Sequence, residues 1–395
     1  MIGIAILAGA YILSHFYRSF LAVLSPQLTA ELGLGPDVLS DALGAWFAAF
    51  ALAQFPVGSL LDRVGPRWTA ASMFAVGAGG GGLLFAASET AMGLTIGMVM
   101  LGIGCAPVLM ASVFIFKRTY SGRQFAMLTS SFIAAGLMGN IIGSSPLAWA
   151  SATFGWRATM IGLAVVTCTL AVGILLFVSD PPRAEQPASG QGSYWDLMKL
   201  KPLWFIFPLL FVNYAVIGGL RGLWAGPYFA QVHGLEQVAI GNALFVVAII
   251  MALGSLAYGP ADKIFNSRKY VVLAGGGVGL TALLWWTFNP GASLLQTQVA
   301  LAVLGFCTMY FGLTMAHGMA FIPDHLTGRG VTLLNFFNMG GVGVMQWLSS
   351  GVYRANQVEG DFLQAFQSVL IFYAVALGVA LAIYALSEDR PPEKA

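Results

Sequence analysis

The chain has 395 residues, 58% of them hydrophobic and 9% charged, with a formal net charge of +2. Soluble domains carry roughly 25% charged residues, so this composition excludes a water-covered surface and implies solvation by lipid. No basic patch lies outside short loops, which excludes nucleic-acid binding.

In chain order, the apolar run from Ile2 past Leu24 is too long for a signal-peptide core and reads as a first spanning helix. A spanning helix needs about 20 mostly apolar residues. Breaks at charges, Gly/Pro clusters and turns predict spans over 3–30, 38–60, 69–88, 91–116, 126–149 and 157–178. A polar linker follows at 180–201, DPPRAEQPASGQGSYWDLMKLK. The remaining spans are 203–230, 237–260, 270–288, 295–322, 331–353 and 362–386. The expected fold class is an all-α membrane protein with twelve transmembrane helices in two six-helix bundles, 1–179 and 202–395. Lipid satisfies no backbone hydrogen bond, and continuously apolar runs rule out the alternation of a barrel. Cys105, Cys168 and Cys307 lie inside apolar runs without paired spacing, so neither disulfides nor a metal site is expected, and no cofactor.

Positive charge orients the spans. One set of loops carries Arg63 and Arg67, then Lys117, Arg118 and Arg123, then Arg183, Lys199 and Lys201, then Lys263, Arg268 and Lys269, then Arg329; Arg390 and Lys394 follow in the tail. The opposite loops carry only Arg157 and Arg354, with Glu31, Asp37, Glu89, Glu236, Glu359 and Asp361. Both termini are therefore expected on the cytoplasmic side of a multi-pass, bacterial-type inner membrane.

The halves repeat. Tyr11 and Arg18 fall on Tyr214 and Arg221 at a shift of 203, as Leu101-Gly102 falls on Leu304-Gly305. Asp62-Arg63 falls on Asp262-Lys263 at a shift of 200, and Trp156-Arg157-Ala158 on Tyr353-Arg354-Ala355 at 197. Parallel repeats of this kind place a site between halves near mid-membrane.

The loop after the second span reads GSLLDRVGPR. Its Gly58, Asp62, Arg63, Gly65 and Arg67 resemble the signature loop of the major facilitator superfamily, with Pro66 replacing one basic position. GPADKIFNSRK, with Asp262 and Lys263, looks like a degraded second copy, and FGWR at 154–157 also resembles this superfamily. The resemblance implies secondary transport by alternating access in a monomer, with Asp62, Arg63, Arg67, Asp262 and Lys263 in gating.

Two basic side chains lie deep inside spans, Arg18 and its repeat mate Arg221. A buried arginine costs at least about 2.5 kcal/mol by insertion scales. Asp41, near the outer end of the second span, is the closest carboxylate, so the expected partner is an anionic substrate held by two guanidinium forks. The other reading of each arginine is bonding to carbonyls at a broken helix, favoured at Arg221 by Gly218, Gly219 and Gly222. The paired position resembles the organic-anion and organophosphate branches of the superfamily.

Tyr11 and His15 share a helix face with Arg18; Tyr214, Trp224 and Tyr228 form the matching stripe with Arg221. Asn140, Asn335, Asn338, Gln346 and His317 complete the candidates, with interhelical hydrogen bonding as the alternative for the amides. Glycines 79–82 and 275–277 read as close helix packing or hinges, and Pro26, Pro56, Pro107, Pro146 and Pro227 as kinks. Competing substrates are amphipathic compounds leaving by efflux and, through Met315, His317, Met319, Cys105 and Cys307, a soft metal such as copper entering. No nucleophile–base pair, metal triad or nucleotide loop supports an enzyme.

Overall fold

A computed structural model describes residues 2–120, 122–181, 194–323, 326–357 and 361–391. The side chains of Asp62, Gly122, Arg123, Ala126, Ser130 and Gly328 are outside the description, as are most of the predicted linker and Arg183, Glu359 and Lys394. Regular structure among the described residues is helical, without strands.

Among the described residues, nine helices are long and apolar enough to cross a membrane: Pro36–Leu61, Pro66–Ala87, Ala91–Thr119, Trp156–Phe177, Lys201–His233, Gln237–Phe265, Lys269–Phe288, Leu294–Met319 and Phe362–Tyr384. Two bent pairs add the first and fifth predicted spans: Ile2–Phe16 with Leu21–Leu32, and Met127–Ile142 with Ser145–Phe154. The eleventh predicted span is Thr327–Ala355, whose 29 residues reach roughly 43 Å. Asn335, Asn338 and Gln346 on it make it less apolar than the rest.

Exposed apolar residues such as Val76, Leu176, Phe288 and Leu295 cover the outside. So much exposed hydrocarbon suits lipid and not water.

The chain forms two compact units. The first comprises Met1–Glu185, Gly222–Ala230 and Leu235–Phe245. The second comprises Gln186–Arg221, Gln231–Gly234 and Val246–Ala395.

Close backbone approach organises both units. Helix association in lipid lacks the hydrophobic effect and relies on packing between small residues. In the first unit a Cβ on Gly104 would collide with the Ala78 amide, and one on Gly81 would stand 2.8 Å from the Leu101 amide. Gly102 faces the Trp46 carbonyl and Gly139 the Ile12 carbonyl, both too closely for any side chain. In the second unit Gly341 meets the Phe211 carbonyl in the same way, and Gly275 the Tyr258 hydroxyl. The glycine clusters are thus helix contacts at Gly81, Gly275 and Gly276, whereas Gly277 faces open space.

The FGWR motif fastens one edge of the first unit. Arg157 pairs with Glu31 at 2.8 Å, and the Trp156 indole donates to the same carboxylate.

Three irregular segments interrupt the regular helices. The first span bends by 52° between Phe16 and Leu21. The seventh span contains a π-helical turn, Leu220–Trp224. A second π-helical segment, Phe74–Gly79, lies in the third span. Proline accounts for the break before Ser145–Phe154, where Pro146 opens the new helix, but the 52° bend contains none. Pro26, Pro56 and Pro107 sit within continuous helices.

Gly104→Val should lower the thermal unfolding temperature of the detergent-solubilised protein by several degrees, because overpacking costs about 1–3 kcal/mol. Gly277→Ala, directed into open space, should leave it within about a degree.

Candidate functional site

Arg18 lies in the bend itself. Its amide bonds the His15 carbonyl at 3.2 Å and that of Ser19 bonds Phe16 at 3.0 Å, shortened bonds that replace the α-helical pattern. Tyr17, bonded to Thr167 at 3.1 Å, and Phe20, against Phe85, anchor the bend in aromatic packing. The Arg18 side chain is 7% exposed. Its guanidinium lies 4.8 Å from the Phe50 ring centre and 5.7 Å from that of Trp46. No described carboxylate pairs with it, and its Nε has no acceptor among the described residues. Cation–π contact partly offsets desolvation, but leaves the Nε donor unanswered.

The other first-half candidates gather one turn away. The His15 and Tyr11 rings meet edge-on at 4.5 Å, and Tyr11 stacks on Phe132 at 4.9 Å. His15 Nδ1 reaches the Tyr11 carbonyl at 3.4 Å, a long bond. Gly136 and Gly139 bring the fifth span against these rings, and Asn140 follows on the same helix, buried.

Trp224 and Tyr228 belong to the same unit, both buried. Trp224 lies within Gly222-Leu-Trp-Ala-Gly226, a small-residue pair at helical spacing. A Cβ on Gly222 would stand 3.3 Å from the Arg18 carbonyl oxygen, and Gly226 presses on the carbonyl of Ala22. Gly222 therefore packs on the backbone of Arg18.

In the second unit Arg221 occupies the π-helical turn and is 3% exposed. Such turns concentrate at functional positions. Tyr214 lies two turns earlier, half-buried. Gly219 packs against Tyr373, whose hydroxyl donates to Gln346 Oε1 at 3.1 Å in a buried cluster completed by Ser349. Asn338 is buried, and neither its Oδ1 nor its Nδ2 meets a described partner. Asn213, also buried, has an equally isolated Oδ1 among the described residues.

His317 does not join these residues. Its Nε2 donates to the Glu388 carbonyl at 2.8 Å and its Nδ1 shares a hydrogen with the Tyr384 hydroxyl at 2.7 Å. One ring nitrogen thus holds the end of the last span and the other the segment after it. Among the described residues no group of three or more His, Cys, Asp or Glu is arranged to hold a metal.

At the signature loop, Gly65 has φ +103° and turns the chain into the helix Pro66–Met73. Asp180, just past the sixth span, accepts from the Arg67 amide at 2.8 Å and caps that helix. In the second half Asp389 does the same, accepting from the Lys269 amide at 3.0 Å. Asp262 pairs with Arg268 at 3.3 Å; the side chain of Asp62 is outside the description, and Arg63 and Lys263 are exposed. Sequence reasoning missed both capping aspartates. The signal was present: Ser179-Asp180-Pro181-Pro182 answers Ser387-Glu388-Asp389-Arg390-Pro391-Pro392 after the last span of each half. Trp46, Asn213 and Tyr373 were missed as well, since an aromatic or amide in an apolar run carries no mark of its neighbours.

The sequence profile of the Major Facilitator Superfamily matches residues 7–346. A probable L-galactonate transporter of Escherichia coli (strain K12) is 25% identical over 358 residues, covering 83% of this chain and 77% of that protein. A glycerol-3-phosphate transporter of Bacillus subtilis (strain 168) is 22% identical, covering 92% and 87%. Among solved structures, a bacterial homologue of the human lysosomal transporter Spinster, inward-facing and occupied, superposes with a TM-score of 0.76 at 19% identity, covering 97% of this chain and 96% of that one. The chain belongs to the Major Facilitator Superfamily: it is a multi-pass membrane transporter of secondary type and not an enzyme.

Asn338→Leu removes two buried polar atoms that lack partners, each costing about 1–3 kcal/mol. The variant should melt no lower than the wild type without ligand, yet lose most transport in proteoliposomes. Lower stability with unchanged transport would mark Asn338 as a packing residue.

Proposed function

We propose that this transporter moves a small organic anion, a carboxylate or a phosphate ester, by alternating access, with the anion held between Arg18 and Arg221. The observation that carries the reading is Arg18: a buried guanidinium on aromatic faces, with no described carboxylate beside it. A charge that costs at least about 2.5 kcal/mol to bury is best compensated by a ligand of opposite sign. Its repeat mate occupies an irregular turn of its own. The L-galactonate and glycerol-3-phosphate transporters named above supply the substrate class by analogy: a carboxylate in one, a phosphate ester in the other.

The further binding residues of this reading are Tyr11, His15, Asn140, Trp224, Tyr214 and Asn338. His317 is withdrawn from this set, because its ring is occupied by Tyr384 and Glu388. The same engagement removes the central ligand of a copper pathway, and buried guanidinium repels a cation. The signature residues Asp62, Arg63, Arg67, Asp262 and Lys263 serve gating at the basic-loop side, in a chain organised as halves 1–179 and 202–395 with both termini in the cytoplasm of a bacterial cell, and active as a monomer.

The test is a melting-temperature screen of the purified protein against L-galactonate, tartrate, glycerol-3-phosphate, sulfate and Cu(I). A ligand that binds only the folded state stabilises it by RT ln(1 + [L]/Kd). One anion class should raise the melting temperature, and Arg18→Lys and Arg221→Lys should each reduce affinity by about tenfold or more, since lysine lacks the bidentate fork. A shift with Cu(I) alone, or an anion shift untouched by either variant, sinks the reading.

A further inference from the structure

Trp46, in the second span, is fully buried at 0% exposure. Its indole Nε1 has no acceptor among the described residues. An indole N–H can only donate, and buried tryptophans ordinarily find a partner for it. The adjacent Arg18 Nε is in the same condition. The two groups are in contact: the guanidinium centre lies 5.7 Å from the Trp46 ring centre, and Phe50 stacks on the indole at 5.2 Å while lying 4.8 Å beneath the guanidinium. Two donor-only groups side by side cannot satisfy one another.

The indole is also held in place. Gly102 of the fourth span lies against the Trp46 carbonyl, where any larger residue would collide, and Phe47 packs edge-on at 4.8 Å. Burial, fixed orientation and an unanswered indole N–H beside a guanidinium whose Nε–H is unanswered describe a site for a group with acceptors and no donors. A carboxylate or phosphate dianion is such a group.

We propose that Trp46 is a binding residue, its indole N–H donating to the same anionic head group that Arg18 holds. This rests on the anion reading above and adds a neutral donor to it. A neutral donor strengthens the grip on a carboxylate or phosphate without adding a second positive charge that would itself need compensation in lipid. It also selects: an ammonium or amide N–H in that position would oppose the indole N–H and leave both unpaired.

Titration calorimetry of the full-length protein in detergent, with L-galactonate, tartrate, glycerol-3-phosphate and sulfate as probes, tests this. Trp46→Phe keeps an aromatic ring and removes the N–H; Trp46→His is smaller but retains a ring donor. For whichever probe the wild type binds, Trp46→Phe should raise Kd on the order of tenfold. Trp46→His should recover part of that loss, and the unliganded melting temperature should fall by no more than a few degrees in either variant. An unchanged Kd in Trp46→Phe, with binding still lost in Arg18→Lys, overturns the assignment of Trp46 and leaves the anion reading standing. Equal weakening by both Trp46 variants makes the residue a packing element and overturns the donor role. A wild type that binds none of the four probes overturns both.

Discussion

In hydrocarbon a backbone amide or carbonyl that leaves the helical ladder has no water to receive it, so a spanning segment can depart from regular helix only where protein surrounds it. The first and seventh spans depart from it at Arg18 and at Arg221, residues already matched by the internal repeat. Each arginine is more than nine-tenths buried. Irregular backbone and buried charge thus coincide twice, at positions 203 residues apart. A helix distortion exposes main-chain dipoles in the same stretch of chain that carries the charge, so both departures from regular helix demand the same protein surroundings.

Glycine sets what that geometry can be. Where two helices meet through Gly77 and Gly104, or through Gly139 and the Ile12 carbonyl, the axes approach as closely as main chains allow. Such contacts fix the height of each helix against its neighbour, because sliding would drive the next side chain into a carbonyl. Trp46 owes its fixed position to this effect at Gly102, and His15 and Tyr11 owe theirs to Gly136 and Gly139. The donors are aimed by residues that have no side chain.

Much of the fold was legible because hydropathy is a long-range average. A run such as Ala91–Thr119 announces itself by composition, and charge placement separates the two loop sets. The repeat made Arg221 legible from Arg18. Local breaks were not legible in the same way. Proline marked the interruption at Pro146, but the sharpest bend falls on Tyr17–Phe20, where packing of Tyr17 and Phe20 selects the geometry. Sequence names the residues of a stripe without saying which neighbour claims each one. His317 and Arg18 look alike as polar residues in apolar runs, yet one is fully engaged by Tyr384 and Glu388 while the other rests on aromatic faces. Trp46 was invisible for the converse reason: its chemistry lies in one N–H whose surroundings only the fold defines.

The paired aspartates Asp180 and Asp389 bear on how helix ends are held against fraying. Each follows the last helix of its half and grips the amide end of that half's third helix. A half secured this way is stitched from its end back into its middle. Because Asp180 joins the chain just past Trp156–Phe177 to the first amides of Pro66–Met73, loosening the end of the sixth helix also uncaps the third, so neither can fray by itself.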